Sequence, residues 1–180
     1  MWKSGTFKEL QLNSPIVQRF IDTFNNEFDN GGTIIRCFQV TNHQVFRELP
    51  SEEEKYEKYF KKLLSSPDIR NNIAELNISD PLENETGLNE INSLILDGDF
   101  AITLMWGGAY SESDRDASEA KKLGQMICDY MFQDRFSEVK VFNSGEAWTD
   151  WFHGIAWDFT WIIFDEKEQK LWIICMTDED

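Results

Sequence analysis

The chain has 180 residues, 41% of them apolar and 14% aromatic, with 33 acids against 17 bases and a net charge of −16. That length and apolar content fit one folded domain with a sizeable core and exclude a disordered chain. The acidic field repels nucleic acid and anionic membranes and attracts basic proteins.

The opening residues, MWKSGTFKELQLN, have neither an apolar signal core nor a small-residue cleavage site, and no later run approaches the roughly 18 apolar residues that cross a bilayer. The expected location is therefore the cytoplasm. Ser14 followed by Pro15 predicts a helix start, and Ile16, Phe20, Phe24 and Phe28 continue it as one apolar stripe at four-residue spacing. Asn30-Gly31-Gly32 ends that helix, and the β-branched run Thr33 to Val40 predicts a strand.

Ser51 followed by Glu52, Glu53 and Glu54 predicts a second helix start, because a capping hydroxyl and acids both suit the positive end of the helix dipole. Tyr56, Tyr59, Phe60, Leu63 and Leu64 form its apolar face. Residues 65–86 are polar and proline-punctuated, which predicts irregular structure with at most a short helix. A third helix is expected over Leu88 to Leu96, a turn at Asp97-Gly98-Asp99, and a strand over Phe100 to Trp106. The turn lacks the acid spacing and closing glutamate of a calcium loop. The longest predicted helix runs from Ser113 to Phe132, with Ala117, Ala120, Leu123, Gly124, Ile127 and Met131 on one face, and Val139 to Phe142 predicts a short strand.

Two apolar runs, Ile155 to Phe164 and Leu171 to Met176, flank the polar segment Glu166-Lys167-Glu168-Gln169 and predict an antiparallel hairpin. A symmetric turn sets Trp161 opposite Ile174, Ile163 opposite Trp172, Phe159 opposite Met176 and Thr160 opposite Cys175. Asp158 then meets Thr177. Both faces are apolar, the pattern of a central hairpin covered on both sides. The predicted architecture is α+β, a single domain over residues 1–180 with helices packed on a mostly antiparallel sheet that ends in this hairpin.

No residue pattern announces a reaction. His153 lies near Glu146, Asp150 and Asp158, which would suit a general base oriented by a carboxylate, or equally a hydrogen-bonded loop histidine. Cys37, Cys128 and Cys175 are odd in number and sit in apolar runs, as buried reduced thiols do. Cys175 lies in a predicted strand, unlike the electropositive, accessible site a nucleophilic thiolate needs. Metal-ligand spacing, a phosphate-binding glycine loop and a basic stripe are all missing, so no cofactor and no metal are expected. Five of the seven tryptophans lie between Trp148 and Trp172. Glu146, Asp150 and Asp158 are mixed there with Trp148, Trp151 and Trp157. Carboxylates beside aromatics suit an arginine- or lysine-bearing partner, while the alternative is structural: the tryptophans plug the core and Asp158 bonds Thr177 or backbone amides.

The segment from Gly145, GEAWTDWFHGIAWDFTWIIFDEKEQKLWIICMTDED, resembles the C-terminal region of small acidic bacterial immunity proteins encoded beside polymorphic or contact-dependent toxins. The likeness rests on Trp148, Trp151, the Ala156-Trp157-Asp158 step, the late hairpin and the acidic end. It implies a non-enzymatic protein that binds and neutralises a cognate, basic toxin domain. The partner-facing residues expected on that basis are Glu146, Trp148, Asp150, Trp151, Asp158, Asp178 and Asp180. Two other classes compete: a small hydrolase using His153 with nearby carboxylates, and an acidic adaptor or nucleic-acid mimic without a toxin.

Overall fold

The computed structural model describes residues 2–28, 30–109 and 115–179. Six strands form one sheet in the order β1-β2-β6-β5-β4-β3, antiparallel throughout. They are β1 (Phe7–Leu10), β2 (Gly32–Val40), β3 (Asn89–Ile91), β4 (Val139–Ser144), β5 (Phe159–Asp165) and β6 (Lys170–Thr177). The helices are α1 (Pro15–Glu27), α2 (Gln44–Arg47), α3 (Tyr56–Leu64), α4 (Pro67–Asn72), α5 (Leu96–Trp106) and α6 (Ala117–Phe132). The architecture is α+β, as the sequence predicts.

The hairpin β5-β6 lies at the centre of the sheet. Its register pairs Trp161 with Ile174, Ile163 with Trp172, Phe159 with Met176 and Thr160 with Cys175, as derived from the symmetric turn. Asp165 closes that turn by accepting the Glu168 amide at 3.0 Å, and Gln169 takes the left-handed conformation with φ 51°. Both faces are covered. One carries Val17, Phe20 and Phe24 of α1, Phe100 and Leu104 of α5 and much of α6 against Trp161, Ile163, Trp172 and Ile174. The other carries Tyr59, Phe60, Leu63 and Leu64 of α3, Ile69 of α4 and the Ile73–Leu82 segment against Ile162, Phe164, Leu171 and Ile173. Continuous apolar strands follow from this double cover, since neither face meets water.

Pro15 occupies the first turn of α1, and Phe20, Phe24 and Phe28 are buried as the stripe predicts. The acids after Ser51 form a single 3-10 turn, Glu53–Lys55, ahead of α3, so α3 itself starts only at Tyr56. Between Leu88 and Trp106 the structure corrects three expectations. Residues 89–91 form the edge strand β3 rather than a helix. Asn92 then caps a 3-10 turn by accepting the Leu94 amide, and that turn runs directly into α5. Asp97-Gly98-Asp99 is the first turn of α5, and Phe100 to Trp106, expected as a strand, completes the helix.

The reason lies in the composition of α5. Leu96, Phe100, Ala101 and Leu104 face the core, while Ile102 and Trp106 are apolar too but stay 53% and 59% exposed. A helix with apolar residues on opposite sides has no amphipathic signature, and a short apolar run of this kind is ambiguous between helix and strand. In α6, Asp116 caps the start through bonds to the Ser118 and Glu119 amides, and the expected beginning at Ser113 lies outside the described residues. Gly124 lets α5 cross closely: a side chain there would overlap the Asp97 carbonyl oxygen. Among the described residues no helix is long and apolar enough to cross a membrane.

Candidate functional site

The connection from β4 to β5 carries most of the residues singled out from the sequence, and the fold separates them. Trp148 is fully buried and its indole Nε1 donates to Thr160 Oγ1 at 2.9 Å. Trp151 is half-buried, edge-on to Phe152 with ring centroids 5.0 Å apart. Trp161 and Trp172 lie in the core, whereas Trp157 and Phe159 are only half-buried.

Asp158 is 1% exposed. Its Oδ2 accepts the amides of Gly154 at 2.6 Å and Ile155 at 3.2 Å, and its Oδ1 accepts the Thr177 hydroxyl at 2.6 Å and the His153 amide at 3.3 Å. It therefore ties the β4–β5 connection to the end of β6, which is the structural alternative foreseen for it. Asp178 is likewise buried and accepts the amides of Asn30 at 3.0 Å and Ala109 at 2.8 Å. Gly31 and Gly108 permit this approach, because a side chain at either would overlap backbone: Thr177 at the first, Glu27 at the second. Trp148, Asp158 and Asp178 thus spend their polar atoms inside the domain and present nothing to a partner. Glu146 and Asp150 are exposed, and Asp180 lies outside the described residues.

His153 is exposed, and its imidazole has no hydrogen-bond partner among the described residues. The three cysteines are buried and free. Burial is the largest influence on each: it pushes the thiols of Cys37 and Cys175 up to about 12 and raises that of Cys128 as well. Thiols held this far above the normal range stay protonated at neutral pH and are poor nucleophiles. Among the described residues no three His, Cys, Asp or Glu side chains are placed to hold a metal ion.

What the fold does assemble is a surface at the β3 end of the sheet. The 3-10 turn and the start of α3 bring Glu53, Glu54 and Glu57 against Gly87, Leu88 and Asn89 around an open depression of about 440 Å³. None of the described residues lining it is basic. Glu57 is held in place by the Thr86 amide at 2.9 Å and the Thr86 hydroxyl at 2.7 Å, with Lys61 at 3.4 Å on its outer side. Tyr56 donates to Glu90 at 2.9 Å, and burial together with Glu90 pushes its phenol up to about 12, so it remains a neutral donor. Gly87 has φ 60°, and a side chain there would overlap Glu146. Glu146 therefore sits at the rim of this depression, far along the chain from the other acids.

A second depression, of about 230 Å³, begins one residue before Glu146, at Gly145. It lies between α5 and the ends of β4 and β5, with Ile102, Trp106 and Phe159 as apolar walls and Asp99 as its only charged residue among those described. The sequence reading missed both depressions. The first joins Glu53, Glu54 and Glu57 to Glu146, which is distant in the chain, and the second is walled by α5 residues whose pattern predicts a strand. The apolar excess on α5 was the one signal available.

These features define an α+β domain with a doubly covered antiparallel sheet and a carboxylate-rich surface beside an exposed aromatic groove. No known family, no characterised protein and no solved structure matches this chain.

Proposed function

We propose that the protein is a non-enzymatic binding factor of the immunity type, which neutralises a basic toxin domain in the cytoplasm by occupying its functional surface. The observation that carries this reading is the depression lined by Glu53, Glu54 and Glu57 with no basic residue among its described lining, and with Glu146 at its rim, on a chain of net charge −16. Lys61 pairs with Glu57 from outside the depression, which leaves Glu53, Glu54 and Glu146 as the carboxylates that draw a basic partner in and orient it. The resemblance of the C-terminal segment to immunity proteins supports the same reading. The exposed contact residues are Glu146 and Asp150 from the original set, joined by Glu53, Glu54 and Glu57. Rim carboxylates of this kind act chiefly on the association rate.

The test is to identify the partner by pull-down from the native host, co-express it with this protein and measure their binding kinetics. Protection of growth is expected. The association rate should fall as salt rises, because the Debye length shrinks from about 10 Å at 0.1 M to about 3 Å at 1 M. The combined variant Glu53→Gln, Glu54→Gln, Glu146→Gln, Asp150→Asn should associate more slowly while melting like the wild type. Absence of both protection and binding overturns the reading. An association rate indifferent to salt and to the four substitutions overturns its electrostatic basis.

A further inference from the structure

The groove beside α5 has features that the acidic surface alone does not explain. Ile95, the last residue of the 3-10 turn, and Asp99, Ile102 and Trp106 of α5 recur at spacings of four, three and four, and the last three line the groove. Three of the four are apolar, and all three are more than half exposed. Trp106 and Phe159 approach to 6.1 Å between centroids, and Phe159 stacks on Trp161 at 5.6 Å with 16° between planes. Trp106, Phe159 and Trp161 therefore form one contiguous aromatic wall of the groove.

Asp99 stands at its floor, half-buried. Its Oδ2 accepts the Trp161 indole at 2.6 Å and the Asn143 amide at 3.3 Å, which fixes the orientation of the carboxylate. Its Oδ1 accepts no hydrogen bond among the described residues, and no ion pair to Asp99 occurs among them. A half-buried carboxylate, oriented by one oxygen and unpaired at the other, faces a volume of about 230 Å³. That volume is below the roughly 300–1,000 Å³ of small-molecule sites, and suits a single inserted side chain.

We propose that this groove is the socket for one arginine side chain of the basic partner. The proposal rests on the reading of the protein as a binder of a basic protein and names the anchoring contact. Charge complementarity selects a cation. The rings select a planar one, since guanidinium stacks flat on an aromatic face while its edge donates to a carboxylate in the same plane. The ammonium of lysine is a compact, strongly hydrated point charge and gains less from the same walls. The guanidinium edge donates to Asp99 Oδ1, and its face lies on Trp106 and Phe159. Such a buried arginine anchor beside a rim of carboxylates is the arrangement of an interface hot spot.

The probe is a capped Gly-Arg-Gly tripeptide, titrated into the intact 15N-labelled protein, with the equivalent Gly-Lys-Gly peptide as competitor in kind. The arginine peptide should shift the indole resonances of Trp106 and Trp161 and the side-chain amide of Asn143, with a dissociation constant on the order of millimolar, the strength of one charge-assisted bond plus one cation–π contact. Asp99→Asn keeps an oxygen for the Trp161 indole, so the fold is preserved, and should weaken the arginine peptide about tenfold. Trp106→Ala removes an exposed side chain and should also weaken it. Shifts that are absent, that appear equally with the lysine peptide, or that survive Asp99→Asn overturn the socket. This experiment needs no toxin, so its failure leaves the immunity reading standing, and failure of protection in cells leaves the socket standing if the peptide binds as described.

Discussion

Asp158 decides between two accounts of the β4–β5 connection, and Asp158→Ala separates them. The carboxylate takes four hydrogen bonds, of which two are short: the Thr177 hydroxyl and the Gly154 amide, both at 2.6 Å. The bonds from Ile155 and His153 are longer, at 3.2 and 3.3 Å, and correspondingly weaker. Counting only the short pair, at about 1.5–2 kcal/mol for each bond to a charged group, the loss is about 3–4 kcal/mol. For a chain of this length such a loss lowers the melting temperature by roughly 6–16 °C. Thr177→Val removes one of the two bonds and should cost about 1–2 kcal/mol. Urea denaturation followed by tryptophan fluorescence measures both variants. An unchanged midpoint for Asp158→Ala, or a Thr177→Val cost equal to that of Asp158→Ala, would refute this role of the carboxylate. A stable Asp158→Ala protein that lost only partner binding would return this residue to the interface.

Two further outcomes concern the frame around the site. Arg135 donates to both oxygens of the fully buried Asp165, at 2.9 and 2.6 Å, and Arg135→Met should destabilise the protein by about 3–5 kcal/mol at neutral pH, because it strands a buried charge. Burial alone would raise the Asp165 carboxyl, but the bonds from Arg135 and the Glu168 amide outweigh it and hold the group below the usual range. Asp68 is also held low, the amides of Phe7 and Gly5 outweighing its burial. Groups with a folded value below the unfolded one of about 3.9 contribute stability above that pH and lose it as pH falls through the folded value. The gap between wild type and Arg135→Met should therefore narrow in acid, and a gap independent of pH would contradict this assignment. Gly31→Ala should cost about 3 kcal/mol or more, since the new methyl overlaps the Thr177 carbonyl of a paired strand that cannot move freely; unchanged thermal melting would show that the Gly31–Asp178 contact is not maintained.

The hairpin register was legible because every requirement for it is local. Two apolar runs flank a polar turn of four residues, and a one-residue slip would move each side chain to the opposite face, so a symmetric turn leaves one pairing. The start of α1 was legible for the same reason, since a cap position and Pro15 are neighbours in the chain. The segment Leu88 to Trp106 was not. Its apolar residues serve two surfaces, the core through Phe100 and Leu104 and the groove through Ile102 and Trp106, and a pattern that serves both has no period to read.

The charges divide in the same way. Composition by itself determined that this is an acidic chain with enough apolar residues for a sizeable core, and the order of apolar periodicities along it gave the α+β class. Neither could determine which carboxylates stay at the surface. Asp178, in an acidic terminal run, looks like a solvated end, yet the amide of Asn30, 148 residues away, reaches it and it is buried. Glu146 looks like one of many loop acids, yet it meets Gly87 beside Glu53, Glu54 and Glu57. A carboxylate satisfied by backbone amides inside the domain is withdrawn from the surface, and one left facing solvent beside its like adds to the surface field. Contacts between distant parts of the chain make that choice, so only the tertiary structure decided it.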